Sequence, residues 1–201
     1  MRTSDPALAR ITDICRRASS EGGFAIYDGY SSDLSKTGDL VCSTGSSAGI
    51  LFYGDTITYA DNTVEKVEYS ILPYPVLEGG KKIAIQRGGG FMVSAADETR
   101  AYAASIFLKW FTQSAQNMRF VASTGYLPVT NEAFEVDMPK EIEKIDDVRI
   151  QKMLKAVMQM HQQYDFFVPP AFEGFDEKSK SFEKEYKTML AAAGENARRG
   201  G

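Results

Sequence analysis

Cysteine is scarce. Cys15 and Cys42 are the only two, without C-x-x-C spacing. That excludes a disulfide framework and a structural zinc finger, and two separate buried thiols are expected rather than one bridge. Basic charge is also short. Lys and Arg number 23 against 27 Asp and Glu, for a net charge of −4, and no cluster of cations offsets it. A phosphate backbone needs a basic face, so nucleic acid is not an expected partner. No apolar run approaches the roughly 20 residues of a membrane span. No leader precedes the helix-like pattern that starts at Pro6, which fits either a cytoplasmic protein or a fragment. Arg87-Gly88-Gly89-Gly90 lacks the G-x-G-x-x-G spacing, and no phosphate-binding G-x-x-x-x-G-K-[ST] loop occurs. The carboxylates of residues 135–147 alternate with Lys140 and Lys144 as on a solvated helix face. No metal and no cofactor are expected.

What remains is ordinary globular material. Hydrophobic residues are 43% and charged residues 25% of 201, enough for one generous domain or two very small ones. Helices are expected over residues 5–20, capped by Ser4 or Asp5 with Pro6 in the first turn, and over 97–111, with Ala101, Ala104, Leu108 and Phe111 on one face. Others are expected over 114–123, closed by Gly125, then 145–164, then 179–193. Short strands are expected at 39–44, 64–72, 83–85 and 91–94, and loop at 24–36. Strands mixed with helices and a purely helical end give an α/β or α+β class, and α/β is the expectation adopted.

Gly45-Ser46-Ser47-Ala48-Gly49 matches the G-x-S-x-G elbow of serine hydrolases. That reading makes Ser47 a nucleophile, with His161 and Asp146 or Asp165 as partners. Against it, His161 falls on the apolar stripe of a long helix, and little chain precedes Ser47 to build the strands the elbow needs. The same residues also suit a close-packed helix entry, or a site where hydroxyls and free N–H groups meet ligand oxygens. Three successive glycines at 88–90 suit a plain loop, unusual dihedrals, or close approach by a ligand or backbone. Tyr27, Tyr30, Tyr53, Tyr59, Tyr69 and Tyr74 could supply sugar platforms or ordinary core.

Taken in order, Cys42 through Gly49, Leu72-Pro73-Tyr74-Pro75, Gly88-Gly89-Gly90-Phe91, Ala104 through Trp110 and Gly125-Tyr126-Leu127-Pro128-Val129-Thr130 resemble the second half of the family 1 extracellular solute-binding proteins. The sugar and glycerol-3-phosphate type is the nearest likeness. The resemblance implies a type II periplasmic-binding-protein-like carboxyl-terminal lobe over residues 1–194, with a small mixed sheet flanked by helices, a helical carboxyl end and a disordered tail at 195–201. It also implies a first lobe absent from this chain. Ligand contacts would fall on Ser46, Ser47, Gly89, Gly90 and Tyr126, with no catalytic residue. The late arginine that binds phosphate in that branch has no counterpart in residues 169–182. A neutral sugar or polyol is therefore favoured, although Arg87 could substitute. The implied partners are a small-molecule solute and the permease subunits of an ABC importer. The full-length protein would be extracytoplasmic and would touch the membrane only through a lipid anchor. A lobe recruited for sensing or protein contact is the other non-catalytic reading.

Overall fold

The computed structural model describes residues 5–24, 27, 29–94 and 97–200. The chain divides into two compact units, one of residues 1–30 with 169–201 and one of residues 31–168.

In the first unit, helix α1 (Pro6–Ser20) packs on helix α7 (Phe175–Gly200). Asp5 caps α1 by accepting from the N–H groups of Ala7 and Leu8, and Pro6 takes the first position, where its missing N–H costs nothing. Ser19 and Leu190 are buried in this pair, and the Ser19 hydroxyl donates to the Leu190 carbonyl at 2.8 Å. Helix α7 starts before the expected Ser179 and continues through the residues expected to form a disordered tail, as far as Gly200. Ala191, Ala192, Ala193 and Ala197 favour that continuation, because alanine loses no side-chain entropy in a helix.

The second unit holds the remaining elements. Helix α2 (Ser31–Thr37) is followed by a 3₁₀ turn at Ser47–Phe52. Strands β1 (Thr56–Thr58) and β2 (Val64–Lys66) form an antiparallel hairpin, with Ile57 opposite Glu65. The turn places Asn62 at φ 66°, a left-handed position that asparagine tolerates. Strand β3 (Ile83–Ile85) pairs in parallel with β4 (Asp165–Phe167), placing Ala84 opposite Phe166. Between these strands run α3 (Glu98–Phe111), α4 (Ser114–Thr124), an irregular helical stretch ending in α5 (Met138–Glu141), and α6 (Val148–Gln163). Asp97 caps α3 and Asp147 caps α6 through their side chains, and Gly125 closes α4 at φ 71°.

The core of this unit is where α4, α5 and α6 meet. Met118 and Val121 of α4, Phe134, Met138 and Ile142, and Ile150, Met153 and Leu154 of α6 form one cluster. It is roofed by Ile50 from the 3₁₀ turn and Leu127. The alternation of α6 explains its role, since Ile150, Leu154 and Val157 recur at helical spacing.

Two expected strands do not form. Residues 39–44 are irregular, and Val41 is fully exposed rather than buried in a strand. Residues 91–94 likewise leave Met92 almost fully exposed. A strand is stable only through a ladder partner, and neither segment has one among the described residues. The strand expected over 64–72 shortens to β2. Cys42 is consequently exposed, Cys15 is half-buried, and both are free thiols. Among the described residues no helix is long and apolar enough to cross a membrane, and no cluster of His, Cys, Asp or Glu could hold a metal ion.

Candidate ligand-binding site

The five residues singled out from sequence all lie in the second unit. Ser46 precedes the 3₁₀ turn in extended conformation, at φ −72° and ψ 148°, and its side chain caps nothing. The first satisfied amide in the turn is Gly49 N–H, which donates to the Ser46 carbonyl at 2.9 Å. Neither the Ser46 nor the Ser47 hydroxyl is engaged by any described residue.

Gly125, the residue before Tyr126, meets the same turn. A Cβ on Gly125 would stand 2.9 Å from the Ser47 carbonyl oxygen, 3.2 Å from Ile50 Cγ2 and 3.4 Å from Met153 Cε. The carboxyl end of α4 therefore touches the start of the 3₁₀ turn backbone to backbone. Buried Asn117 fixes the segment beyond, because its side-chain oxygen accepts from Val129 N–H at 2.9 Å. The Tyr126 ring is 43% exposed, and its centroid lies 5.5 Å from that of Phe120. Tyr126 thus follows directly on the glycine that meets the backbone of the turn carrying Ser47.

Gly89 and Gly90 take no part in that backbone contact. Each has ordinary backbone angles, and a Cβ on either would meet nothing within 4 Å. Close approach by the protein's own backbone does not explain the triplet. Instead Gly90 leads into Phe91, which starts a chain of ring contacts: Phe91 to Phe111 at 5.2 Å, Phe111 to Phe120 at 5.4 Å, and Phe120 to Tyr126. These distances suit edge-to-face and offset ring pairs. Phe91 also lines a groove of about 410 Å³ with Met92, Val93, Ser94, Arg100 and Phe107. Arg100, the cation of that groove, faces the Asp97 carboxylate at 3.4 Å. Arg87, the alternative phosphate partner, is exposed.

The hydrolase geometry is not assembled. The His161 ring stacks on Phe134 with centroids 4.3 Å apart and lies 6.3 Å from Phe166, and no described hydrogen bond joins it to Ser47, Asp146 or Asp165. A histidine on the apolar stripe of α6 is used for packing.

Sequence reasoning missed the group around Tyr53. Its hydroxyl lies 2.9 Å from Ser31 Oγ and 2.6 Å from Ser43 Oγ, so one phenol joins two segments expected to be loop and strand. The Tyr53 ring meets Tyr69 edge-on at 5.6 Å, and the Tyr69 hydroxyl is buried without a partner among the described residues. The Tyr53 carbonyl accepts from Arg149, which also forms a two-pronged pair with Asp147 at 3.0 and 2.7 Å. The density of tyrosines was visible in the sequence. Their convergence required the fold.

The Arg149 guanidinium hydrogen-bonded to Asp147 holds this carboxyl below the usual carboxylate range, aided by backbone N–H groups at the start of α6. A depressed folded-state pKa stabilises above the unfolded value and ceases to do so as pH falls through the folded value. Asp147→Asn keeps a capping oxygen but removes the charge. It should lower stability by about 1 kcal/mol at neutral pH. Denaturant titrations should show that gap closing only below the ordinary aspartate pKa, and a gap independent of pH would refute the pairing.

With this geometry in place, comparison with known proteins identifies the class. The bacterial extracellular solute-binding protein family matches residues 4–147, well over half of the chain, and the chain belongs to that family. Neither a curated protein nor a solved structure gives a significant match.

Proposed function

We propose that the chain is the carboxyl-terminal lobe of the solute-binding component of an ABC import system, acting outside the cytoplasm on a sugar, polyol or glycerol-phosphate-like ligand. Ligand contacts are assigned to Ser46, Ser47, Tyr126, Gly89 and Gly90. The observation that carries the reading is the pair of unengaged serine hydroxyls on the turn whose backbone is approached by Gly125, the residue before Tyr126. Free hydroxyls and an exposed aromatic ring offer what a polyhydroxylated ligand needs: donors and acceptors at its rim and an apolar face against its C–H groups. Within the groove beside Gly90 the cation is already compensated by Asp97, which favours a neutral ligand over a phosphate. In this family role the protein binds and releases without catalysis, closure around the solute being the signal to the permease.

Calorimetric titration with a panel of neutral sugars, polyols and glycerol phosphates tests this. A member of the panel should bind, and the double variant Ser46→Ala/Ser47→Ala should weaken it by roughly 10- to 100-fold, two neutral hydrogen bonds being worth about 1–3 kcal/mol together. Gly89→Val places a side chain in space the protein leaves open. It should leave the melting temperature nearly unchanged while reducing affinity. Equal affinity in all variants would remove these residues from the site. Covalent labelling by a fluorophosphonate that is lost in Ser47→Ala would overturn the binding reading in favour of a hydrolase.

A further inference from the structure

The segment that leads into Ser46 has little of its own to hold it. Residues 41–46 are all exposed, and among the described residues no backbone hydrogen bond is made by residues 40–45. A chain without ladder or helix bonds keeps much of its conformational freedom. A ligand that needs Ser46 and Ser47 in one arrangement must remove that freedom, and its affinity falls accordingly. Something already in the fold has to do the ordering if the site is to bind well.

Tyr53 is placed to do it. It ends the 3₁₀ turn that begins at Ser47, and its N–H donates to the Ile50 carbonyl at 3.3 Å. Its carbonyl accepts from Arg149, which Asp147 grips through two hydrogen bonds. Its ring meets Tyr69 edge-on, and the Tyr69 carbonyl in turn accepts from Lys152 of α6 at 3.1 Å. From that fixed base the phenol reaches back ten positions to Ser43 Oγ at 2.6 Å, and to Ser31 Oγ at 2.9 Å. One proton and two lone pairs let it serve both serines at once. Among the described residues the Ser43 bond is the one hydrogen bond that joins residues 40–45 to the rest of the unit. It closes a loop at its base, with Ser46 and Ser47 inside, and a closed loop has fewer conformations to lose. We propose that Tyr53 is a positioning residue of the solute site: its hydroxyl clasps Ser43 and so holds Ser46 and Ser47 in the arrangement that receives the ligand. The clasp belongs to the fold; its effect on affinity rests on the assignment of Ser46 and Ser47 as ligand contacts.

Cys42, exposed and next to Ser43, reports on the segment directly. With Cys15 replaced by alanine, a nitroxide on Cys42 of the full chain should give the broad spectrum of a restricted label. Tyr53→Phe and Ser43→Ala should each sharpen it, and the two together should do no more than either alone. Ser43→Thr keeps a hydroxyl and should keep the label restricted. Ser31→Ala removes the phenol's other bond but leaves the clasp, so it should change nothing, which separates positioning from general loosening around Tyr53. Circular dichroism confirms that each variant is folded. In calorimetric titration with the panel of neutral sugars, polyols and glycerol phosphates, Tyr53→Phe and Ser43→Ala should each weaken binding by about three- to tenfold. The clasp can lower the apparent affinity only by as much as one neutral hydrogen bond favours the ordered loop. A label as restricted in Tyr53→Phe as in the unsubstituted chain overturns the proposal. So does a label that Ser31→Ala frees as much as Ser43→Ala, or a freed segment with unchanged affinity. Absence of binding by every panel member counts against the assignment of Ser46 and Ser47, while the nitroxide spectrum decides the clasp by itself.

Discussion

Replacing Leu154 by alanine is expected to destabilise the second unit by about 4 kcal/mol, near the upper end for buried leucines. Leu154 is 0% exposed and sits in the cluster that joins α4, α5 and α6. Two contributions add. The lost methylenes return apolar area to water on unfolding, and the surrounding Met118, Met138 and Met153 can only partly refill the space. Methionine is the side chain best able to do so, being unbranched and flexible, which sets an upper limit on the loss. For a unit of this size a few kcal/mol is a large fraction of the whole. Urea unfolding followed by Trp110 fluorescence reads the second unit specifically, because the only tryptophan lies within it. A shift below about 1 kcal/mol would mean that the cluster is not the centre of that unit.

The helices were legible in the sequence because their determinants are local. Asp5 with Pro6, Asp97 and Gly125 each carry a cap or stop signal within four residues of the end they define. Strands were legible only where a partner happened to exist. Residues 39–44 and 83–85 are both short apolar runs beside turn residues, yet only the second is paired. Its partner, Asp165–Phe167, comes far along the chain, between the end of α6 and Pro169-Pro170. Nothing in either run alone encodes that encounter. The extent of α7 was missed for a different reason: Gly194 in a polar sequence looks like a stop, but the helix passes through it with Gly194 buried.

The candidate site was half legible. Ser46, Ser47 and Tyr126 were named separately, and the approach of Gly125 to the Ser47 backbone is one that no local pattern announces. The triplet at 88–90 was legible as loop. The triplet suited a plain loop, unusual dihedrals or close approach, and the structure shows irregular backbone with no crowding and no positive φ at Gly88, Gly89 or Gly90. The open space beside them leaves the backbone accessible from outside, next to the groove that Phe91 and Phe107 line. The chain of rings from Phe91 to Tyr126 joins the two halves of the proposed contact surface. It depends on residues from α3, α4 and two loops, so spacing within any one segment could not show it.

Gly125→Ala should cost about 2–4 kcal/mol, a sum of two separate penalties. At φ 71° an alanine pays the left-handed conformational cost of about 1–2 kcal/mol. Its methyl would also meet the Ser47 carbonyl at 2.9 Å, and a backbone oxygen cannot swing aside as a flexible side chain does. The methyl is therefore relieved only by moving the 3₁₀ turn away from α4, which carries Ser46 and Ser47 with it. Asn at 125 isolates the two effects, since it tolerates the left-handed region better than alanine but still carries the Cβ. The expected order of stability is glycine, then asparagine, then alanine, with solute affinity lost in both variants. Should asparagine match glycine in both stability and affinity, the close approach to Ser47 would carry no weight.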